Sequence, residues 1–309
     1  MHSCAIYVSS GVAAVASRVA AVAAAVPRVA VVDVFTDVAY SRSSVKLVAE
    51  PAALLSAAHA AALEALTLVD LSEQPHPAPH PRCGAVDMIS FMPLSEASGA
   101  AIADDLGTCD ELAWSLGRSL GETGAPVLMY GPRAGRTLVE ARRGTSFFAS
   151  CKANAPREAW ATLPLDFGSR RARGAAAVTA VDAEPAASVA APADVPQRTG
   201  VAVVGVQTYV TNFNIQVDGA SLEECKAAAS ALRAALGVQV MALPHTSSGS
   251  CEIGCNLQAS HDRDSPAHDA VLSVVASGLP AAASIRHHYV IGLTPAQALE
   301  KAQQSLAAS

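Results

Sequence analysis

Short apolar segments of strand type alternate with alanine-rich segments of helix type, and this alternation constrains the fold more than any other feature. Residues 5–8 and 29–32 have the composition of buried strands, and an alanine-rich helix is predicted between them at 12–26. A second helix begins at Pro51, since proline suits the first helical turn, and residues 86–92 return to strand type. Helices that alternate with strands in this way pack on a sheet. The sequence therefore predicts an α/β protein.

The same alternation resumes in the last third of the chain. Residues 201–210 and 214–217 are predicted strands, and Ser221 with Glu224 forms a capping-box pattern ahead of a helix at 222–236. We therefore predict two similar subdomains, each a mixed β-sheet with helices on one face, with a ligand cleft between them. The predicted bounds are 1–208 and 209–309. Residues 169–198 are dominated by Ala, Pro, Val and Arg without a sustained period, and are predicted to be a flexible insertion in the first subdomain.

Composition argues against several classes of protein. The formal net charge of -6 is spread along the chain without a block of like charges, so we expect neither a nucleic-acid nor a membrane partner. The group Arg170, Arg171 and Arg173 lacks interleaved aromatics and is interpreted as a solvated loop. Seven cysteines without C-x-x-C spacing indicate free thiols in a reducing compartment, and no zinc-like Cys/His cluster is present, so no metal is expected.

The first 32 residues contain no acidic residue, a composition that is also typical of an organellar transit peptide. The strand and helix predicted there give the stronger interpretation. The cytoplasm is therefore the expected location, and import into an organelle is the alternative.

A proline-bounded loop carries the best candidate for chemistry. His80 lies between Pro79 and Pro81, and Arg82 follows two residues later. Histidine can accept and donate a proton near neutrality, and a guanidinium can bind a carboxylate through two hydrogen bonds. Nucleotide-binding, zinc-protease and serine-hydrolase motifs are not found. Spacing alone still favours a structural turn over a catalytic one.

The loop at 80–87, His-Pro-Arg-Cys-Gly-Ala-Val-Asp, resembles the signature loop of glutamate formiminotransferase, the first half of formiminotransferase-cyclodeaminase. Further segments are similar in the same order along the chain, and these are residues 68–72, 92–94, 126–131, 165–168, 200–205, 212–215, 252–257 and 291–295. The likeness is greatest to the single-domain formiminotransferase-like proteins of plants. Nearly the whole chain takes part in the resemblance.

The resemblance implies a folate-dependent one-carbon transferase that moves a formimino group from N-formimino-L-glutamate to tetrahydrofolate, its co-substrate. His80 would be the general acid and base. Arg82 and Arg42 would bind carboxylates of the two substrates. Gly168 and Gly200 flank the region that resembles the family's folate-binding loop. The resemblance also leaves room for a homodimer.

Asn214 is a further candidate, for a polar contact in the cleft. Several stretches depart from the family pattern, and two of them bear on function. Ser9-Ser10 stands in a turn where the family has an asparagine, and Ser41 precedes Arg42 where the family has an amide. These departures motivate an alternative function, a catalytically weakened folate-binding protein that acts as a sensor, carrier or assembly subunit.

Overall fold

The computed structural model describes residues 1–38, 40–73, 82–94, 100–143, 145, 165–168, 198–245, 249–259 and 265–308. His80 lies outside these ranges, and so do residues 169–197 of the predicted insertion. The chain forms two compact units. The first unit contains Met1–Met92, Leu106–Gln207 and Ala302–Ser309, and the second contains Pro93–Asp105 and Thr208–Lys301. Since the chain passes between the units more than once, the predicted subdomain boundary at residue 208 stays a prediction.

The first unit is built on a six-stranded sheet in the order β2-β3-β1-β4-β6-β5. Its elements are β1 His2–Val8, α1 Ala13–Ala24, β2 Val29–Asp37, β3 Arg42–Ala49, α2 Pro51–Leu68, β4 Val86–Pro93, α3 Ala100–Glu122, β5 Val127–Tyr130, α4 Leu138–Arg143 and β6 Ala202–Val206. Strand β3 is antiparallel to β1 and β2, whereas β6 is parallel to β4 and β5. This sheet is mixed, as predicted.

The second unit has a four-stranded sheet in the order β10-β7-β9-β8. The elements from here to the end of the chain are β7 Thr211–Asp218, α5 Leu222–Leu236, β8 Gln239–His245, β9 Ser250–Leu257, α6 His268–Gly278, β10 Ser284–Ile291 and α7 Pro295–Ala307. All three strand pairs are antiparallel, so the prediction of a mixed sheet is wrong here. The helices α5 and α6 each connect two strands that are two positions apart in the sheet, and an antiparallel strand lies between those two strands. No two neighbouring strands are therefore parallel.

Both units share one topology. In each, a strand, a helix, two strands, a helix and a strand follow one another, and the four strands lie in the order fourth, first, third, second. This arrangement is the split β-α-β motif. It confirms the predicted α/β class and the similarity of the two subdomains. The predicted cleft stays a prediction.

Each unit has its own hydrophobic core on one face of its sheet. In the first core, Ile6 and Leu47 pack with Leu54 and with buried alanines of α1 and α2, whose small side chains let the helices approach closely. In the second core, Phe213 and Ile253 pack with residues of α5 and α6. Because side chains alternate along a strand, the other face of each sheet carries the intervening residues.

Helix α2 is long and apolar enough to cross a membrane by length and composition alone. One face of this helix, including Leu54 and Ala58, is buried in the first core. A core helix passes the same test as a membrane span, so this helix is weak support for a membrane partner.

Candidate functional site

The segment that ends the histidine-bearing loop is fixed between two other stretches of backbone. The Ser9 amide donates a hydrogen bond of 2.9 Å to the Ala85 carbonyl, where β1 has just ended. On the other side, the Ala85 amide donates to Thr199 at 2.8 Å and the Val201 amide donates to Cys83 at 2.9 Å. Residues 83–85 are therefore held firmly where β4 begins.

Asp87, the second residue of β4, is the electrostatic centre of this region. Its side chain is fully buried. The Oδ1 atom accepts hydrogen bonds from the Cys83 amide at 2.6 Å and from the Cys83 thiol at 3.2 Å. The Oδ2 atom accepts from Nη2 of Arg42 and, at 3.4 Å, from Nη2 of Arg142. A carboxylate can be buried at acceptable cost only with such partners, so Asp87 fixes both arginines and the loop backbone together.

Arg42, Asp87 and Arg142 form what we call the arginine–aspartate cluster. The cluster contains two guanidinium groups and one carboxylate. Both arginine side chains are 13% exposed, so the positive charge reaches the protein surface while the carboxylate does not. The Tyr7 ring lies 5.8 Å from the Arg42 guanidinium carbon. Planar guanidinium groups that are fixed in this way suit the binding of a carboxylate.

The polar groups around the cluster are neutral. Burial raises the pKa of the Cys83 thiol well above its ordinary value, and the Asp87 carboxylate raises it further. Burial also raises the pKa of Tyr7, with a partly opposing effect of Arg42. The pKa of Tyr130 is raised by burial as well, against smaller opposing effects of Ser90 and Arg142. A protonated thiol is a weak nucleophile, so Cys83 acts as a hydrogen-bond donor here.

The two glycines predicted from the resemblance occupy positions that require glycine. Gly200 has φ +62°, and a Cβ there would lie 2.4 Å from the Cys83 carbonyl oxygen. Gly168 has φ +87°, and a Cβ would lie 2.0 Å from the Ala125 carbonyl oxygen. Gly200 thus borders the end of the histidine-bearing loop, and Gly168 lies beside the residue pair that precedes β5. Their predicted role in folate binding stays a prediction.

The structure brings some of the predicted residues together. Arg42 belongs to the cluster. Arg82 is half-buried and directly precedes Cys83, and His80 lies outside the described residues. Asn214 is part of the second unit, where its Nδ2 atom donates to Oε1 of Glu252 at 2.8 Å. The chemical roles assigned to these residues stay predictions.

Arg142 is a residue that sequence reasoning missed. It lies on α4, a six-residue helix that was not predicted. A local signal was available, because Thr137 and Glu140 form a reciprocal cap. The Thr137 amide donates to Oε2 of Glu140 at 2.7 Å, and the Glu140 amide donates to Oγ1 of Thr137 at 3.2 Å. This Thr-x-x-Glu pattern is a signature of a helix start.

Ser9, one of the serines that depart from the family pattern, supports the loop. The Ser9 hydroxyl donates to the Gly84 carbonyl at 2.6 Å, and the Ser43 hydroxyl donates to the Ser10 carbonyl at 2.7 Å. Within the described residues, no group of three His, Cys, Asp or Glu side chains is placed to hold a metal ion. The expectation of a metal-free protein stays a prediction.

The fold and the site define a class, an α/β protein of two split β-α-β units with a candidate anion site where β3 and β4 begin. Residues 1–207 match the family model described as the formiminotransferase domain, N-terminal subdomain. The chain therefore belongs to the formiminotransferase family, and the resemblance seen in the sequence is confirmed.

Several relatives are similar over much of the chain. A formiminotransferase cyclodeaminase-like protein of Arabidopsis thaliana is 31% identical over 75% of this chain and 72% of its own length. A glutamate formimidoyltransferase of Thermoplasma acidophilum is 27% identical over 67% of this chain. A formimidoyltransferase-cyclodeaminase of Gallus gallus is 30% identical over 62% of this chain. The matches span 58% of the archaeal protein and 29% of the avian one.

Proposed function

We propose that this protein transfers a formimino group from N-formimino-L-glutamate to tetrahydrofolate, with His80 as general acid and base. Membership of the formiminotransferase family supports folate-dependent formimino transfer in general. Relatives named glutamate formimidoyltransferase support the transferase class. The arginine–aspartate cluster is the observation that carries the proposal. Its carboxylate, Asp87, accepts a hydrogen bond from the backbone amide of Cys83, and Cys83 follows His80 by three residues in the sequence.

The cluster suits the substrates because both are anions. The glutamate part of the donor carries two carboxylates, and so does the glutamate tail of a folate. In our proposal Arg42 and Arg142 bind a carboxylate of the donor, while Asp87 holds the two guanidinium groups in place. Arg82, which directly precedes Cys83, would bind a further carboxylate. Fixed donors of this kind lose little conformational freedom on binding.

The chemistry needs one proton carrier. A folate nitrogen attacks the formimino carbon, a carbon–nitrogen bond forms, and a tetrahedral intermediate results. His80 accepts the proton that the attacking nitrogen loses and donates a proton to the glutamate nitrogen. The bond between that nitrogen and the carbon then breaks, which releases glutamate and formimino-tetrahydrofolate. A histidine that serves both steps ends the cycle in its starting state.

The test follows formation of 5-formiminotetrahydrofolate by absorbance when the purified protein is mixed with both substrates. We expect His80→Ala to lower kcat by about 10²–10⁴-fold while folinate binding, measured by calorimetry, is kept. His76→Ala, in the same proline-rich stretch, is the matched control and should keep full activity.

Three other outcomes decide against parts of this proposal. Full activity of His80→Ala would remove the proton-transfer role. Folinate binding by the wild type without turnover would favour the alternative, a folate-binding protein without catalysis. Wild-type protein that neither binds folinate nor forms product would contradict the folate assignment.

A further inference from the structure

Arg136 and Asp166 form an ion pair at the outer edge of β5, outside the arginine–aspartate cluster. Nη2 of Arg136 donates a hydrogen bond to Oδ2 of Asp166, and the two side chains are 24% and 23% exposed. The same Oδ2 atom accepts a hydrogen bond from the Met129 amide at 2.7 Å. Nε of Arg136 donates to the Met129 carbonyl, also at 2.7 Å. The ion pair therefore binds both main-chain polar groups of one residue of β5.

Strand β5 is the last strand of its sheet, so the main-chain groups on its outer side need partners from other segments. The Val127 amide donates to the Phe167 carbonyl at 3.0 Å. Further along the strand, the Gly131 amide donates to the Arg136 carbonyl at 2.8 Å. Met129 lies between these two positions, where the side chains of the ion pair replace main-chain partners. The pair thus joins the two segments that lie along the edge of β5.

Arg136 also leads directly into α4. The next residue, Thr137, forms with Glu140 the reciprocal cap at the start of this helix. The helix has only six residues, and a helix of this length is not stable by itself. Its position therefore depends on its first end, which follows Arg136, and on its buried face, where Ala141 packs in a small hydrophobic cluster. The residue after Ala141 is Arg142, a member of the arginine–aspartate cluster.

We propose that Arg136 and Asp166 are positioning residues for the transfer reaction, because the ion pair holds α4 at the edge of β5 and thereby holds Arg142 where it binds a carboxylate of the donor. This inference rests on the proposed function. A guanidinium binds a carboxylate through hydrogen bonds of fixed direction, so a small displacement of α4 weakens donor binding. The inference also gives a role to the acid of the segment at 165–168, which the resemblance in sequence left without one.

The experiment measures steady-state kinetics of 5-formiminotetrahydrofolate formation for the wild type, Arg136→Ala and Arg133→Ala. Arg133 is the matched control, since it lies in the same turn but pairs with Glu111 at the surface, where the two side chains are 45% and 75% exposed. We expect Arg136→Ala to raise KM for formiminoglutamate about tenfold, with kcat and KM for tetrahydrofolate changed by less than about twofold. Arg133→Ala should keep the wild-type values.

A double substitution shows whether Arg136 acts through Arg142. Arg142→Ala alone should raise KM for formiminoglutamate, and adding Arg136→Ala should raise it no further, because the group to be positioned is already absent. An equal rise in both backgrounds would overturn the inference. If Arg136→Ala does not fold, Asp166→Asn provides the test, since asparagine keeps an oxygen for the Met129 amide but loses the charge. Its expected rise in KM is about three- to fivefold.

A structural role alone would lower the melting temperature of Arg136→Ala and leave every KM as in the wild type, which would also overturn the inference. In that case wild-type turnover would show that the proposed function still holds. If the wild type binds formiminoglutamate without turnover, the dissociation constant from calorimetry replaces KM and decides the inference in the same way. A wild type that neither binds formiminoglutamate nor forms product would instead contradict the proposed function, and this inference with it.

Discussion

At the scale of single residues, Asp87 determines the geometry of the candidate site. Arg42 was found from the resemblance to a known family, because the matching segment includes it. Arg142 was not, because its contact with Asp87 joins residues 55 positions apart in the sequence. Spacing along the chain contains no information about such a contact. Asp87 was recognisable as part of the motif at 80–87, but only one of its two arginine partners was predicted.

Asp87→Asn should destabilise the protein by about 3–5 kcal/mol, because it leaves two partly buried guanidinium groups without their carboxylate. The free energy of unfolding is measured by urea denaturation. Asp218→Asn is the control, since Asp218 and Arg286 form a pair at the surface, with exposed fractions of 36% and 43%. That change should cost at most about 1 kcal/mol. Equal losses in the two variants would show that Asp87 does not have this role.

Lys46 gives the stability of the first unit a dependence on pH. Burial lowers the pKa of Lys46 to about 8, and the nearby Asp33 carboxylate opposes this effect. An unfolded lysine titrates near a pKa of about 10.4. Below pH 8 both states are protonated, and the folded state bears the full cost of a buried charge, about 3 kcal/mol. Between about pH 8 and 10 the unfolded chain binds more protons, so this cost decreases as the pH rises.

Lys46→Met should therefore be more stable than the wild type at pH 7, by up to about 3 kcal/mol. The difference should shrink as the pH approaches 10. Urea denaturation of both proteins at several pH values between 6 and 10 measures it, and taking the difference cancels the titration of other groups. A difference that does not change with pH would contradict the assignment to Lys46.

At the scale of elements, local signals predicted the helix ends best. The Ser221 and Glu224 capping box and Gly237 at φ +62° bound α5, and its predicted limits are those observed. Strand ends were predicted less well. The apolar run at 201–210 suggested a long strand, whereas β6 ends at Val206. Its partner β5 ends at Tyr130, which pairs with Gly205, so β6 loses a neighbouring strand one residue before its own end. The residue pattern of one strand cannot show where a neighbouring strand of the sheet ends.

Gly200→Ala should destabilise the contact between the loop and β6. The change forces a Cβ against the Cys83 carbonyl at 2.4 Å in addition to the cost of the positive φ. Gly135→Ala is the matched control, since Gly135 has φ +63° and no atom lies within 4 Å of the added Cβ. The control should cost about 1–2 kcal/mol, and Gly200→Ala about 1–3 kcal/mol more. Urea denaturation measures both, and similar losses would refute the close-contact argument.

At the scale of the whole molecule, the order of elements was sufficient to predict two similar α/β subdomains. It was not sufficient to predict the strand directions within the second sheet. Whether a sheet is mixed depends on which strands become neighbours, and the same series of strands and helices is compatible with several neighbour orders. The first sheet is mixed because β5 and β6 extend it beyond the motif that the two units share.

A chain that contains one topology twice must also avoid exchanging equivalent strands between the copies while it folds. Strands β1 and β7 hold the same place in the two motifs and offer similar core residues, which are Cys4, Ile6, Val8, Phe213, Ile215 and Val217. The sheet faces that point away from the two cores distinguish them. With β1 in the place of β7, the buried Glu252 would lose the amide of Asn214, and an incompletely paired carboxylate is costly. The polar residues on this face should therefore disfavour a sheet in which the equivalent strands are exchanged.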